Sequence, residues 1–397
     1  MKIFISSLAS KRLLLSVLLL FLAGMVFAVD VDFIPPQFSS SNPEYQDIIR
    51  ILNDDLESAF SAYERQIKSD MAALPPSFPN LASAFANSSV FSSDGASQRG
   101  YEGFNAFSFT VGFMGALQLP KKFTLLDEIK DAIMNGEGDI DFDFGRDNMD
   151  MRLGLDLQIL NAQFGLNTSF LLKGLYLGFK FSKFDTNWIK AMPLSGFSFN
   201  TMSIGVNASY QLISQKRILA GLFVWRGLNL GTGFIWQNTS LGLKSSLPID
   251  KNLLNVSIPI PIGAGALNMQ LDEVFNLDIK TSNFIVPIEA MTSIRLLGFL
   301  NLALGAGVDV AIGGSNINAH GSFDVIESSG LPSGINLVNG TPSLRYSLGG
   351  KSSPSLLNMK VMGALGFNFG PVLFDIPVTY YFLDNGYSLG FTLGVIL

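Results

Sequence analysis

From Pro371 to the last residue, apolar side chains fall at every second position on both sides of one tight turn. Val372, Phe374, Ile376, Val378, Tyr380 and Phe382 alternate in the first run, and Tyr387, Leu389, Phe391, Leu393, Val395 and Leu397 in the second. A period of two belongs to a strand, not a helix. Between the runs sits Asp384-Asn385-Gly386, whose Asn-Gly pair suits the positive φ angles of a type I′ hairpin. The second run ends on an apolar residue, as expected of a closed membrane barrel, whose last strand must pair with its first and leave no edge in lipid. A secreted β-sandwich can also carry such a hairpin, so the rest of the chain must decide.

Hydrophobic residues make up 48% of the 397 and charged residues only 15%, with a mean hydropathy of +0.35. Yet beyond residue 28 no apolar run approaches the about 20 residues that a transmembrane helix needs. Hydrophobicity spread by alternation marks a transmembrane β-barrel. The 39 glycines suit close-packed inward positions and the 34 phenylalanines lipid-facing ones.

Residues 1–28 read as a secretory signal, with Lys2, Lys11 and Arg12 before an apolar core from Leu13 to Phe27 and cleavage after Ala28. Losing those three cations takes the net charge from -6 to -9, which does not invite nucleic acid. The chain has no cysteine, which excludes disulfides, thiolate metal sites and a lipidated N-terminal Cys. A chain of this kind reaches the outer membrane by insertion rather than by tethering.

Residues 29–100 form a distinct leader. Asn42-Pro43-Glu44 is a helix start, with Asn as cap and Pro in the first turn. Tyr45, Ile48, Ile49, Leu52, Leu56, Phe60, Tyr63, Ile67 and Met71 then keep a helical spacing, which predicts an amphipathic helix over 43–71. From Ala73 to Gly100 the chain is rich in Ser, Ala, Pro and Asn, with Phe78, Leu81, Phe85 and Phe91 as anchors. This stretch is either a linker or a compact plug in a barrel mouth, because those side chains would otherwise be exposed.

Residues 101–397 carry the barrel pattern. Alternating runs lie near Phe107 to Leu119, Met151 to Ile159, Phe164 to Lys183, Met202 to Leu212, Leu219 to Trp236, Phe284 to Ile294, Leu300 to Ile312 and Met359 to Phe369, before the C-terminal pair. The phase shifts at Lys173-Gly174 and Arg226-Gly227 are read as β-bulges, because this keeps short turns on one side and long loops on the other. Short turns are then expected near Leu160 to Ala162, Ser214 to Lys216, Leu297-Gly298 and Gly370-Pro371, and long loops at 120–148, 184–196, 239–282 and 313–355. Pro259 and Pro261 argue against a strand at Ser257 to Pro261. The expected fold is an all-β transmembrane antiparallel barrel of about ten to fourteen strands with an N-terminal α-helical leader or plug.

The face opposite the apolar one supplies the candidate lumen or substrate path: Arg152, Asp156, Glu289, Arg295, Asp309, Lys360 and Asp375, with Asn301, Asn358 and Asn368. Both signs are mixed, which suits paired charges in a narrow interior better than the single-sign ring of a selective pore. The acidic run Asp139, Asp141, Asp143, Asp147 and Asp150 imitates a calcium loop, but Gly145 comes one place late and no Glu closes the site. With His320 as the single histidine there is no His-pair metal site and no Ser-His-Asp relay. Neither cofactor, metal nor enzymatic activity is expected.

The signal, the helical leader, the Phe-rich strands and the terminal Tyr387 to Leu397 strand resemble a spirochaete-type outer-membrane β-barrel. The small residues and phenylalanines from Asn80 to Phe91, ahead of a barrel of this length, are similar in layout to the long-chain fatty-acid channel family. That resemblance implies a fourteen-stranded barrel, a plugging N-terminal hatch and the conduction of hydrophobic molecules; the helix at 43–71 is additional to its pattern. The expectation is an outer-membrane channel for passive uptake of small hydrophobic molecules such as long-chain fatty acids. Its partners would be outer-membrane lipid, the barrel-assembly machinery and that substrate, and no nucleic acid. The alternative is a surface-exposed, adhesin-type barrel whose long loops bind partners without transport, and a soluble β-sandwich ranks third.

Overall fold

The computed structural model describes residues 29–32, 37–47, 49–51, 53, 54, 57, 61, 78–93, 106–120, 152–186, 196–218, 222–245, 255–259, 266–329, 335–338 and 342–397. They fall into two compact units, one of Met1–Ser77, Gly242–Asp278 and Asn318–Gly349, the other of Phe78–Leu241, Ile279–Ile317 and Gly350–Leu397.

Ten strands, all or part of each lying in the second unit, close into an antiparallel ring. In chain order they are β1 (Phe107–Gln118), β2 (Gly154–Asn167), β3 (Leu175–Asp185), β4 (Phe197–Ile213), β5 (Phe223–Ser245), β6 (Ala266–Leu296), β7 (Leu300–Ser329), β8 (Leu357–Phe369), β9 (Val372–Tyr381) and β10 (Gly386–Ile396). Each pairs with its neighbours in sequence, and β10 pairs with β1 from Gly386↔Gln118 to Ile396↔Ser108. The seam is finished at its lower end by the Ala106 and Phe107 N–H groups, which both donate to the Leu397 carbonyl.

Alternation explains the wall. On β1 Phe109, Val111 and Phe113 are exposed while Thr110 and Met114 are buried. Outward rings meet across strands, Phe113 stacking on Phe391 at 5.9 Å and Phe374 meeting Phe391 edge-on at 4.6 Å. An apolar band of this extent is a liability in water and the normal surface of a barrel in lipid.

Several expected boundaries change. There is no turn at Leu160 to Ala162: β2 runs through it, and Ile159 and Leu160 together face Phe113 of β1 as a bulge. Conversely Lys173-Gly174 is a turn and not a bulge, with Gly174 at φ +83°, because Thr168 and Leu175 close a tight hairpin between β2 and β3. Two sequence shifts of the same kind therefore have opposite causes, since one extra residue flips the alternation whether it is bulged out or spent in a turn. At Arg226-Gly227 the bulge stands, and β5 continues through Gly227 at φ +86°. The ring has ten strands, not the fourteen implied by the fatty-acid channel family.

Much of the expected long loops at 239–282 and 313–355 is strand. β6 and β7 are 31 and 30 residues long. Asn255–Pro259 pairs with Ala266–Gln270 despite Pro259, which is tolerated because, among the described strands, this one ends the sheet order.

In the first unit Val29–Asp32 pairs with Arg345–Leu348, and Phe38–Ser39 pairs with Asn336–Leu337. Asn53 clasps Phe38, accepting its N–H at 3.0 Å and donating to its carbonyl at 3.3 Å. Asn42 Oδ1 accepts the Glu44 N–H at 3.1 Å and Pro43 occupies the first turn, as a helix start requires. The described residues between Gln46 and Ser61 are helical. The signal segment, the remainder of the helix expected to Met71, most of the loop expected at 120–148 and the acidic run 139–150 lie outside the described residues.

Gly227 and Gly298 both need positive φ, but a Cβ at Gly227 would strike the Ile213 carbonyl, whereas at Gly298 it would meet nothing within 4 Å. Gly227→Ala is therefore expected to cost more than Gly298→Ala, about 3 kcal/mol against about 1 kcal/mol, read as urea midpoints of the folded barrel.

Candidate functional site

Ten strands spaced about 4.8 Å apart and tilted about 40° enclose a backbone cylinder roughly 20 Å across. Inward side chains do not fill that width unaided, and the space is taken by helix α1 (Phe78–Ser92), FPNLASAFANSSVFS. The helix is not amphipathic. Leu81, Ala82, Ala84, Phe85, Ala86, Asn87, Ser88, Val90 and Phe91 are all buried, so it is covered on every side.

Small residues make this fit possible. Gly154 of β2 lies against the Ala84 carbonyl and Gly386 of β10 against the Phe91 ring, both too close for any Cβ. Near the helix end Ser93 Oγ donates to the Val90 carbonyl at 2.6 Å, and Ser92 Oγ lies 3.1 Å from the Ser89 carbonyl. The wall holds the helix at separate points. Asn283 of β6 donates to the Ala86 carbonyl at 2.9 Å, and Asn87 Oδ1 accepts the Ser355 N–H at 2.7 Å. Phe91 stacks on Tyr381 with centroids 4.0 Å apart, inside a cluster with Val90, Ala116, Ile235, Ile285 and Ala311.

The densest polar contact is centred on Asp156 of β2. Its Oδ2 accepts from Ser92 Oγ at 2.8 Å and from Gln237 Nε2 at 2.6 Å, and its Oδ1 accepts the Leu157 N–H at 2.9 Å and Thr239 Oγ1 at 3.1 Å. Gln237 Nε2 also donates to Ser92 Oγ at 2.7 Å, while its Oε1 accepts from Gln158 at 2.6 Å. One carboxylate thus joins β2, β5 and the plug-like helix in a closed hydrogen-bonded group.

A second group unites three adjacent strands. Lys360 Nζ of β8 lies 2.5 Å from Glu289 Oε1 of β6 and 2.8 Å from Asp309 Oδ1 of β7, all three buried, and 5.9 Å from the Tyr381 ring centre. A third lies near the short turns, where Arg295 Nε donates to Asn301 Oδ1 at 3.0 Å and Asn301 Nδ2 to Asn368 Oδ1 at 2.6 Å.

Of the residues selected by alternation, Asp156, Glu289, Asp309, Lys360 and Asp375 are buried within the ring, Arg295 is half-buried, and Arg152 lies half-buried just before β2. Asn358 is buried too and donates to the Ser355 carbonyl at 2.7 Å. These side chains sit in separate networks rather than one path. Leu81, Phe85 and Phe91 are buried on α1, and the Phe78 side chain lies outside the described residues. Gln237, Thr239, Ser92 and Asn283 escape a sequence reading. Gln237 alternates with the outward Phe234 and Trp236 and was legible by phase, whereas Ser92 carries no such signal.

Beside Asp156 a cavity of about 10 Å³, room for one water, is lined by Phe85 and Ser89 of α1, Leu155, Phe199 of β4, Thr239 and Leu241 of β5, and Ile279 and Thr281 of β6. Leu155 otherwise belongs to the exposed outer face. The wall is interrupted nearby: β2–β3 pairing ends at Asn161↔Ser182, and Gln158–Leu160 does not continue it onto Lys183–Asp185. The bulge at Ile159 and Leu160 sits at that point.

Removing one member of a buried ion group leaves its partners uncompensated, whereas neutralising all of them does not. Lys360→Met is therefore expected to destabilise the barrel by about 3–5 kcal/mol, and Glu289→Gln/Asp309→Asn/Lys360→Met to recover most of that loss. Urea titration of the refolded protein distinguishes the two.

Several solved barrels superpose at low similarity. The translocator domain of autotransporter NalP from Neisseria meningitidis matches at 9% identity, with 78% of this chain and 93% of that chain covered and a TM-score of 0.27. The toluene transporter TbuX of Ralstonia pickettii matches at 8% identity, with 81% and 97% covered and a TM-score of 0.24. The attachment invasion locus protein Ail of Yersinia pestis matches at 10% identity, with 73% and 96% covered and a TM-score of 0.18. A search of curated proteins finds no match. A family model described as Lsa36-like matches residues 44–396, from the leader helix to the closing strand, and the chain belongs to the Lsa36-like family.

Proposed function

We propose that this outer-membrane-type barrel is a plugged channel for passive uptake of small hydrophobic molecules, with α1 as the plug. The supporting observation is the cavity at the β2–β3 interruption, where outward Leu155, lumen residues Phe199 and Ile279, and Phe85 of the helix meet around one small void. An apolar solute that enters from the lipid side there needs no polar constriction, only a displacement of α1. The helix is tied by single hydrogen bonds from Asn283 and Ser355 and by the Asp156 group, contacts that a modest rearrangement can exchange. Long-chain fatty acids are one substrate class of the right chemistry. On this reading the protein is non-catalytic and integral to the bacterial outer membrane, reached by export with cleavage after Ala28 and insertion by the barrel-assembly machinery.

A second reading rests on a different observation. β6 and β7 have 31 and 30 residues, where a membrane crossing needs about 9–11. The surplus strand would then be a displayed, partner-binding region and the barrel its anchor, without passage of any solute.

Uptake into liposomes separates the two. With refolded wild-type protein a fluorescent fatty acid is expected to enter faster than into protein-free vesicles, and a small sugar is not. Gln237→Ala/Thr239→Ala, which loosens the Asp156 group, should raise fatty-acid uptake several-fold, and Phe199→Trp, which fills the cavity, should lower it. If neither solute crosses any folded variant the channel reading fails and the anchor reading stands; equal passage of sugar and fatty acid through the wild type also defeats it.

A further inference from the structure

The short-turn end of the barrel carries an unusual combination of side chains. The β2–β3 turn exposes Phe170, Leu171 and Leu172, with Phe170 at 81%, where such turns normally meet water with polar residues. Lys173 follows directly and is exposed. The next hairpin, between β4 and β5, exposes Lys216 and Arg217. The two hairpins are side by side, because the Gln211 N–H donates to the Gly174 carbonyl at 2.8 Å. The turn expected at Ser214 to Lys216 lies further on, since Lys216–Ile218 is a strand paired with Phe223–Trp225. Residues 168–174 of the first hairpin and 212–218 of the second include no acid, although the chain as a whole has a net charge of -6.

Two features identify the occupant. The apolar turn is continuous with the lipid-facing band through Phe164 and Leu166 on β2 and Leu177 and Phe179 on β3, all exposed. Its flanking charges are all positive, matching an anionic headgroup layer, where each Lys or Arg near the surface adds about a fivefold gain in association. Aromatic and aliphatic residues at the headgroup level with basic residues beside them are the pattern of interfacial anchoring. We infer that this end of the barrel is an anionic-phospholipid binding rim, with Phe170, Leu171 and Leu172 inserted at the acyl boundary and Lys173, Lys216 and Arg217 holding lipid phosphates.

Trp225 reports on the rim, since it pairs in register with Lys216 and its indole N–H donates to Thr292 Oγ1 at 2.8 Å. The full mature protein with Trp188→Phe and Trp236→Phe, so that Trp225 is its sole tryptophan, would be reconstituted in mixed vesicles carrying either brominated phosphatidylglycerol or brominated phosphatidylcholine. Stronger quenching by the anionic lipid is expected, corresponding to a several-fold preference. Lys173→Gln/Lys216→Gln/Arg217→Gln should bring that preference to parity. Lys183→Gln, at the opposite end of β3 and hydrogen-bonded to Asn200, should leave it intact. Heat-modifiable mobility on gels confirms that each variant is folded before the comparison. Equal quenching by both lipids in the parent, a preference that survives the triple variant, or an equal loss in Lys183→Gln would overturn the inference.

Discussion

In hydrocarbon no water is present to satisfy a backbone N–H or C=O, so a wall of strands must end by pairing with itself. The pairing of β10 with β1, continued to the Leu397 carbonyl, meets that demand, and other features of the barrel unit follow from it. Closure with ten strands sets the width of the lumen, and the width decides what must fill it. Side chains alone suffice in narrower rings. Here a helix is needed, and it must be thin and polar enough to lie against both glycines and amides.

That requirement accounts for a helix whose composition would be poor on a protein surface. Ser and Asn weaken an isolated helix by competing for its backbone, but in a polar lumen the same groups find partners. Ser92 reaches Asp156, and Asn87 receives the Ser355 N–H. Ala82, Ala84 and Ala86 keep the cylinder narrow, Gly154 lets the wall approach the Ala84 carbonyl, and Gly386 makes room for the Phe91 ring. A few hydrogen bonds from the wall, to the Ala86 carbonyl, from the Ser355 N–H and at Asp156, fix the position of the helix in the ring. The Lys360 group, whose ion pairs join β6, β7 and β8, ties wall strands to one another.

The wall is not uniform around its circumference. Near the bulge of Ile159 and Leu160 the ladder between β2 and β3 stops, and an outward leucine shares a cavity with inward residues. β-Bulges bend a strand and disrupt pairing, so a single extra residue accounts for both the interruption and the cavity beside it. The lower end of the same two strands carries the apolar turn and adjoins the hairpin that exposes Lys216 and Arg217.

Alternation in the sequence determined the fold class, the pairing of first and last strands, and the inward phase of Asp156, Glu289, Asp309 and Lys360, because side-chain direction on a strand has a strict period of two; it bounded the strand count between about ten and fourteen, and the closed ring decided on ten. It did not separate a bulge from a turn at Lys173-Gly174, since both flip the phase by the same step, and it placed a turn at Leu160 to Ala162 where a bulge stands. The strand at Asn255–Pro259 was missed because its proline is excluded only from strands with two neighbours. The partners of α1 were decided by tertiary structure alone. Ser92 and Gln237 lie 145 residues apart in the chain and meet, with Asp156 and Thr239, only when the ring is closed around the helix. A repeating pattern records which way each side chain faces, and only the closed lumen decides what it faces.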